Sequence, residues 1–280
     1  MSKIDNALLG SLTADAYCLG AHWIYDDKQL FALPIDWETL NDPQAMWHEG
    51  KKAGDFTHYG DHTIWLVNYL LEHKTFDAQG YAQFWKEQMQ DFKGYVDGSS
   101  RETLAHLNAN QPADCGPANH DLSICGRIAP LLSITEDRQT FTSLAVMFAK
   151  VTHNDPTVLE AVHFFASLLW DVIEGKEVTP SIEALKSKYS PMIQAWVDEG
   201  LAAKGKNSFE TIRAFGPACG VEGGFAGTIH LLVSFTNFKE AMIANAKAGG
   251  DSSARGMIVG MIFGALGYEI PQSWIPDLLK

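Results

Sequence analysis

Ala248-Gly249-Gly250-Asp251-Ser252-Ser253-Ala254-Arg255 runs straight into an apolar stretch over residues 256–268. Paired glycines make a turn that feeds an acid into the first turn of a buried helix. There the helix dipole and the free backbone N–H groups favour negative charge. Gly256, Gly260 and Gly264 recur every four residues, so they share one helix face and admit a closely packed neighbour. Such packing holds the Asp251 loop rigid, as a binding site requires. The same spacing serves helix pairs in membranes, but the apolar run over 257–266 is too short to span a bilayer.

A second turn of this kind lies far upstream, where Tyr59-Gly60-Asp61-His62-Thr63 precedes Ile64-Trp65-Leu66-Val67. The pattern predicts a helix over 63–72 with Asp61 at its start. Asp61, His62 and Thr63 offer a carboxylate, an imidazole and a hydroxyl. They could converge with Asp251 on one metal or phosphate site. A third junction, Thr152-His153-Asn154-Asp155-Pro156, closes one helix and opens the next. His153 suits the C-terminal dipole of the first, and Asp155 suits the cap of the second.

Working outward, helical periodicity dominates. Helices are expected over 7–19 (capped by Asp5 or Asn6), 77–92, 140–151, 157–173, 182–188, 191–204, 223–235, 237–247 and 252–266. Strand-like alternation is nearly absent. Residues 96–120 read as a surface loop with a short helix, and neither linker nor fixed repeat divides the chain. The expected fold is all-α, one compact multi-helix domain over 1–280.

With 280 residues, 46% of them hydrophobic, the chain can bury a sizeable core. Its net charge of -13 repels nucleic acid and anionic lipid, so neither is an expected partner. Cys18, Cys115, Cys125 and Cys219 form no CxxC pair and read as free thiols in a reducing compartment. The residues after Met1 do not read as a signal peptide, and a cytoplasmic location is expected.

Taken in order, these segments resemble the ADP-ribosylglycohydrolase family, which includes jellyfish lens crystallins. The resemblance covers nearly the whole chain. It runs from Ala7-Leu8-Leu9-Gly10 and Thr13-Ala14-Asp15-Ala16 through Gly60-Asp61-His62-Thr63, where the family has Thr-Asp-Asp-Thr. Arg127-Ile128-Ala129-Pro130, Thr152-His153, Gly249-Gly250-Asp251-Ser252 and Gly264-Ala265-Leu266-Gly267 continue it. The resemblance implies an all-α fold with a two-magnesium cleft that hydrolyses a glycosidic bond of ADP-ribose. The partner would be a small-molecule or ADP-ribosylated substrate. It assigns Asp61 and Asp251 catalytic roles, with Asp61, His62, Thr63 and Asp251 as metal ligands. His22, Trp23, Tyr25, Tyr59, Arg127, His153 and Gly250 become candidate substrate contacts.

The departures fall on the metal motifs. His62 stands for an aspartate, Ser253 for another, and Ala254 for a hydroxyl residue. Two of the four motif carboxylates survive, too few for a magnesium pair. Imidazole at His62 suits one manganese or zinc ion instead. Asp26 or Asp55 could then serve as base. Two other readings stay open: an inactive member that binds a nucleotide-like ligand in an aromatic pocket, and a purely structural protein.

Overall fold

The computed structural model describes residues 2–280. Among them the chain forms thirteen α-helices and short 3-10 turns, with no strand. The helices are α1 (Lys3–Cys18), α2 (Asp27–Ala32), α3 (His58–His73), α4 (Ala78–Asp91), α5 (Gly98–Asn108), α6 (Arg138–Thr152) and α7 (Pro156–Ile173). There follow α8 (Val178–Lys186), α9 (Pro191–Ala202), α10 (Ser208–Phe215), α11 (Val221–Ser234), α12 (Phe238–Lys247) and α13 (Ser252–Ala265).

Side-chain caps explain most helix starts. Asp77, Asp97, Asp137, Asn207 and Asn237 each accept from a backbone N–H one turn on, and Asp155 accepts from Thr157 and Val158. Two starts differ from expectation. Ser2, not Asp5 or Asn6, caps α1, and Asp5 bonds back to the Ser2 amide to close a capping box. α3 begins at His58 rather than 63, because Thr57 is its cap and accepts from the Tyr59 amide. α2 and α10 were not expected; both are short, of six and eight residues.

The core is organised about α1 and α13. A β-carbon at Gly10 would collide with the Gly260 carbonyl, and one at Gly264 with the Asn6 carbonyl. The glycine face of α13 therefore lies directly on the α1 backbone; α13 is wholly buried, and α1 is buried from Leu9 onward. α7 and α11 pack on α13, and α6 and α9 pack on them in turn, with Phe164, Phe165, Phe225, Phe141 and Trp196 in the core. α7 is long and apolar enough to span a membrane, yet 61% of its apolar window is buried in this core. The stack fixes the starts of α13 and α3 in one place.

Candidate functional site

The Asp251 loop is held by backbone geometry. Gly249 and Gly250 take φ of 70° and 62°, the left-handed region that glycine tolerates. The Gly250 amide donates to the Ile24 carbonyl at 2.8 Å, and the Trp23 amide donates to the Gly250 carbonyl at 2.8 Å. Gly250 thus ties two loops together and spends both its backbone groups inside the protein. Arg255 clamps the turn from beneath. Fully buried, it donates to Asn245 Oδ1 at 3.0 Å, Pro217 O at 3.2 Å and Gly249 O at 2.7 Å. Burial draws its guanidinium down to about 10.

Asp251 is completely buried, and both its oxygens are engaged. Oδ1 lies 3.0 Å from His22 Nε2 and accepts from the Ala254 amide at 2.9 Å; Oδ2 accepts from the Tyr59 hydroxyl at 2.8 Å. Burial alone would raise its pKa, but His22, the Ala254 amide and the Tyr59 hydroxyl outweigh that and hold it below the carboxylate range.

The second wall comes from residues 119–122 paired with 219–221. Leu122 N donates to Cys219 O at 2.9 Å, and Val221 N to His120 O at 2.7 Å. This pairing sets Asp121 and Cys219 beside Asp251, with one ligand atom from each lying within 4.8 Å of the others. Burial first, and then Asp251, push the Asp121 pKa up, against the pull of Arg127. The Cys219 thiol is pushed up to about 12 by burial and by the same two acids. Arg127 lies 4.7 Å over the Tyr59 ring and donates to Ser123 Oγ at 2.5 Å.

Aromatic rings surround these groups. Trp23, at φ 63°, stacks on His22 at 4.5 Å and meets His48 at 5.5 Å, His58 at 5.4 Å and Tyr95 at 4.9 Å. Tyr25 is half exposed at the rim and close enough to Asp251 and Cys219 for their charges to raise its pKa further after burial. Behind Tyr59, His58 Nε2 lies 3.0 Å from Asp97 Oδ2. His153 ends α6 next to Thr152, buried, its Nδ1 2.9 Å from Thr152 Oγ1.

The structure therefore brings together Asp251, His22, Trp23, Tyr25, Tyr59, Arg127 and Gly250. It does not bring Asp61, His62 or Thr63 to them. Asp61 pairs with Lys51 at 2.6 Å, between cavities of about 390 and 400 Å³ that also meet Phe56 and Leu278. His62 stacks on Trp65 at 4.4 Å, and Thr63 Oγ1 donates to the Tyr59 carbonyl at 2.8 Å. The cause is the earlier start of α3. At about 100° per residue, Tyr59 and Asp61 lie on opposite faces. Asp26 caps α2 by accepting from Gln29 N, and Asp55 accepts from Lys52 N; both are exposed turn residues.

Asp15 is the hidden knot of the site. It accepts from Thr57 N at 2.8 Å, Thr57 Oγ1 at 2.7 Å and Ser253 Oγ at 2.8 Å. One carboxylate in α1 thereby locks the starts of α3 and α13 together. It also occupies Ser253, which stands for a lost acid of the closing motif. A family profile for ADP-ribosylglycohydrolases matches residues 1–280. The chain belongs to the ADP-ribosylglycohydrolase family. Crystallin J1A of Tripedalia cystophora is 23% identical over 96% of this chain and 89% of its own length. An uncharacterized protein of Archaeoglobus fulgidus is 24% identical over 99% and 91%. A solved "ADP-ribosylglycohydrolase-related protein complex" shares the fold, with a TM-score of 0.71 at 20% identity, over 99% of this chain and 93% of that one.

Members of this ADP-ribosylglycohydrolase family typically depend on divalent metals, and Asp121, Cys219 and Asp251 form a group able to hold one. The donor set suits a single cation. Two carboxylates and a thiol cannot offset a magnesium pair, and thiolate favours softer ions. The start of α3 that faces Asp251 reads Thr57-His58-Tyr59-Gly60. An imidazole and a phenol thus stand at the helix start that meets Asp251. Asp121 and Cys219 escaped the sequence reading because loop pairing, not local pattern, brings them to Asp251.

Proposed function

We propose that this chain is a hydrolase-like ADP-ribosylglycohydrolase that binds a ribose-bearing ligand of the ADP-ribose type between Asp121, Cys219 and Asp251. The observation that carries the reading is the convergence of two buried carboxylates and a thiol within 4.8 Å at the junction of the α13 start and the 119–122 loop. In this reading these three residues hold one divalent ion, manganese or zinc before magnesium. When bound, such an ion would polarise ribose hydroxyls or an attacking water.

The chain's own groups do the rest. His22 and the Ala254 amide fix Asp251 Oδ1, so Oδ2, which accepts only from the Tyr59 hydroxyl, is the oxygen left to meet a ligand. The Tyr59 hydroxyl, 2.8 Å from Oδ2 and 3.5 Å from Asp121 Oδ2, can donate to either acid. Trp23, Tyr25 and Tyr95 offer apolar faces to a sugar or base. Arg127 offsets the charge of Asp121, which favours an anionic ligand.

A crystallin-like, purely structural role is the second reading. It is favoured by the rings of Trp23, His48, His58 and Tyr95, which interlock over Tyr59 and fill the cleft. Calorimetric titration of metal-stripped protein with ADP-ribose, alone and with magnesium, manganese or zinc, separates the two. Binding that needs manganese or zinc supports the single-ion reading, followed by a search for released ribose products. Binding without metal moves recognition to the aromatic walls. No binding under any condition leaves the structural role.

A further inference from the structure

Asp251 is the inner end of a hydrogen-bonded chain that reaches outward. Its Oδ1 lies 3.0 Å from His22 Nε2, and His22 Nδ1 lies 2.9 Å from His48 Nε2. All three side chains are buried, with His48 4% exposed. Both imidazole rings stack beside Trp23, within 26° of parallel to each other.

The carboxylate decides the first proton of this chain, and the order that follows holds for neutral rings. An ionised carboxylate only accepts, so His22 Nε2 carries the hydrogen. A neutral His22 then has a lone pair on Nδ1, and His48 Nε2 must donate to it. His48 Nδ1 is left as a lone pair. It makes no hydrogen bond within the protein, and it is absent from the fully buried polar atoms that lack a partner. His58, His62 and His153, by contrast, each have a partnerless ring nitrogen shut in the interior. Of these histidines, His48 alone has a free ring nitrogen that is not fully buried, on a ring stacked against Trp23, which in turn meets Tyr95.

We propose that His48 is a ligand-contacting residue of this site, held by Asp251 through His22 in the Nε2–H form so that its Nδ1 accepts a hydrogen bond from a ligand hydroxyl. The inference rests on the ribose-bearing ligand proposed above. It adds a residue that the family motifs do not reach, and it names the group recognised: a hydroxyl donor, not a phosphate or another acceptor. A fixed tautomer makes the contact selective, because a ligand acceptor at that point would face a lone pair.

Two measurements test it, one without any ligand. Long-range proton–nitrogen NMR of the histidine side chains at pH 8 should show both His22 and His48 wholly in the Nε2–H form. In His22→Leu, His48 should revert to a tautomer mixture. A mixture at His48 in the wild type overturns the proposal. In ADP-ribose titrations His48→Phe should weaken binding about tenfold, the size of one lost hydrogen bond. His48→Asn, whose amide oxygen can stand near the Nδ1 position, should recover most of it. Wild-type affinity in His48→Phe overturns the ligand contact. No ADP-ribose binding by the wild type overturns the ribose reading and the contact with it, while the NMR lines report separately whether the Asp251–His22–His48 chain exists.

Discussion

The starts of α13 and α3 meet in one cleft and are built in opposite ways. At α13 the backbone does the holding. Two left-handed glycines turn the chain, Arg255 clamps three acceptors beneath it, and one carboxylate emerges in a single orientation. At α3 the side chains do it. Thr57 is pinned to Asp15, and His58 and Tyr59 reach into the site as rings packed against other rings. A start fixed by backbone tolerates little change, because every replacement strains the same turn. A start fixed by ring packing tolerates exchange of the polar tip, provided the ring remains. The difference teaches where side chains can be exchanged: the α13 start presents an acid on a rigid turn, while the α3 start presents an imidazole and a phenol on packed rings.

The contrast breaks most visibly at Arg255. Arg255→Met keeps much of the volume but leaves Asn245 Oδ1 and Gly249 O without their donors and Pro217 O with the Asp251 amide alone. Removing one partner of a buried charged network costs about 3–5 kcal/mol. Urea denaturation should show a loss of this size, together with loss of ADP-ribose binding. A loss under about 1 kcal/mol would mean that the glycine turn stands without its clamp.

A middle-sized effect is expected from Tyr59→Phe, which keeps the ring and deletes the tip. Asp251 Oδ2 loses a donor at 2.8 Å, worth about 1.5–3 kcal/mol for a charged acceptor. The same oxygen is then free for a cation. Thermal denaturation should therefore find the variant less stable than wild type without metal, and raised more by added zinc or manganese. Equal metal responses would place the cation, if any, away from Asp251 Oδ2.

What could be read from the chain divides along the same line. Asp251 was legible because its glycines, its acid and its apolar helix are consecutive, and a backbone-built turn is a local event. The all-α fold was legible because most of the helices carry an apolar repeat of helical period. The α3 start was misplaced by five residues. His58, Tyr59 and Gly60 carry no helical signal of their own, and the cap at Thr57 is completed by Asp15, forty-two residues earlier. That shift turned Asp61 from a presumed ligand into a partner of Lys51. Asp121 and Cys219 were illegible for a deeper reason, since only the pairing of two distant loops brings them to Asp251. His48 is reached through His22, two links from the motif acid, and no spacing rule encodes that.

The smallest effect belongs to the opposite face of α3. Asp61 is largely buried, and burial lifts its pKa from 3.8 to about 6 even though Lys51 lies 2.6 Å away and pulls it down. The folded protein therefore holds this proton more tightly than the unfolded chain. Stability from this group is fully present below pH 4 and is lost as pH rises through 6. Asp61→Asn removes the titration, at the cost of leaving Lys51 unpaired near the surface, so at pH 7.5 the variant should lie within about 1 kcal/mol of wild type. As pH falls from 7.5 to 4.5, wild type should gain on the variant by on the order of 1–2 kcal/mol. Denaturation midpoints of the two proteins across that range give the answer directly. ADP-ribose binding in Asp61→Asn should stay at the wild-type level, because the Tyr59 face is untouched. A loss of binding there would return Asp61 to the site and erase the division between the two faces.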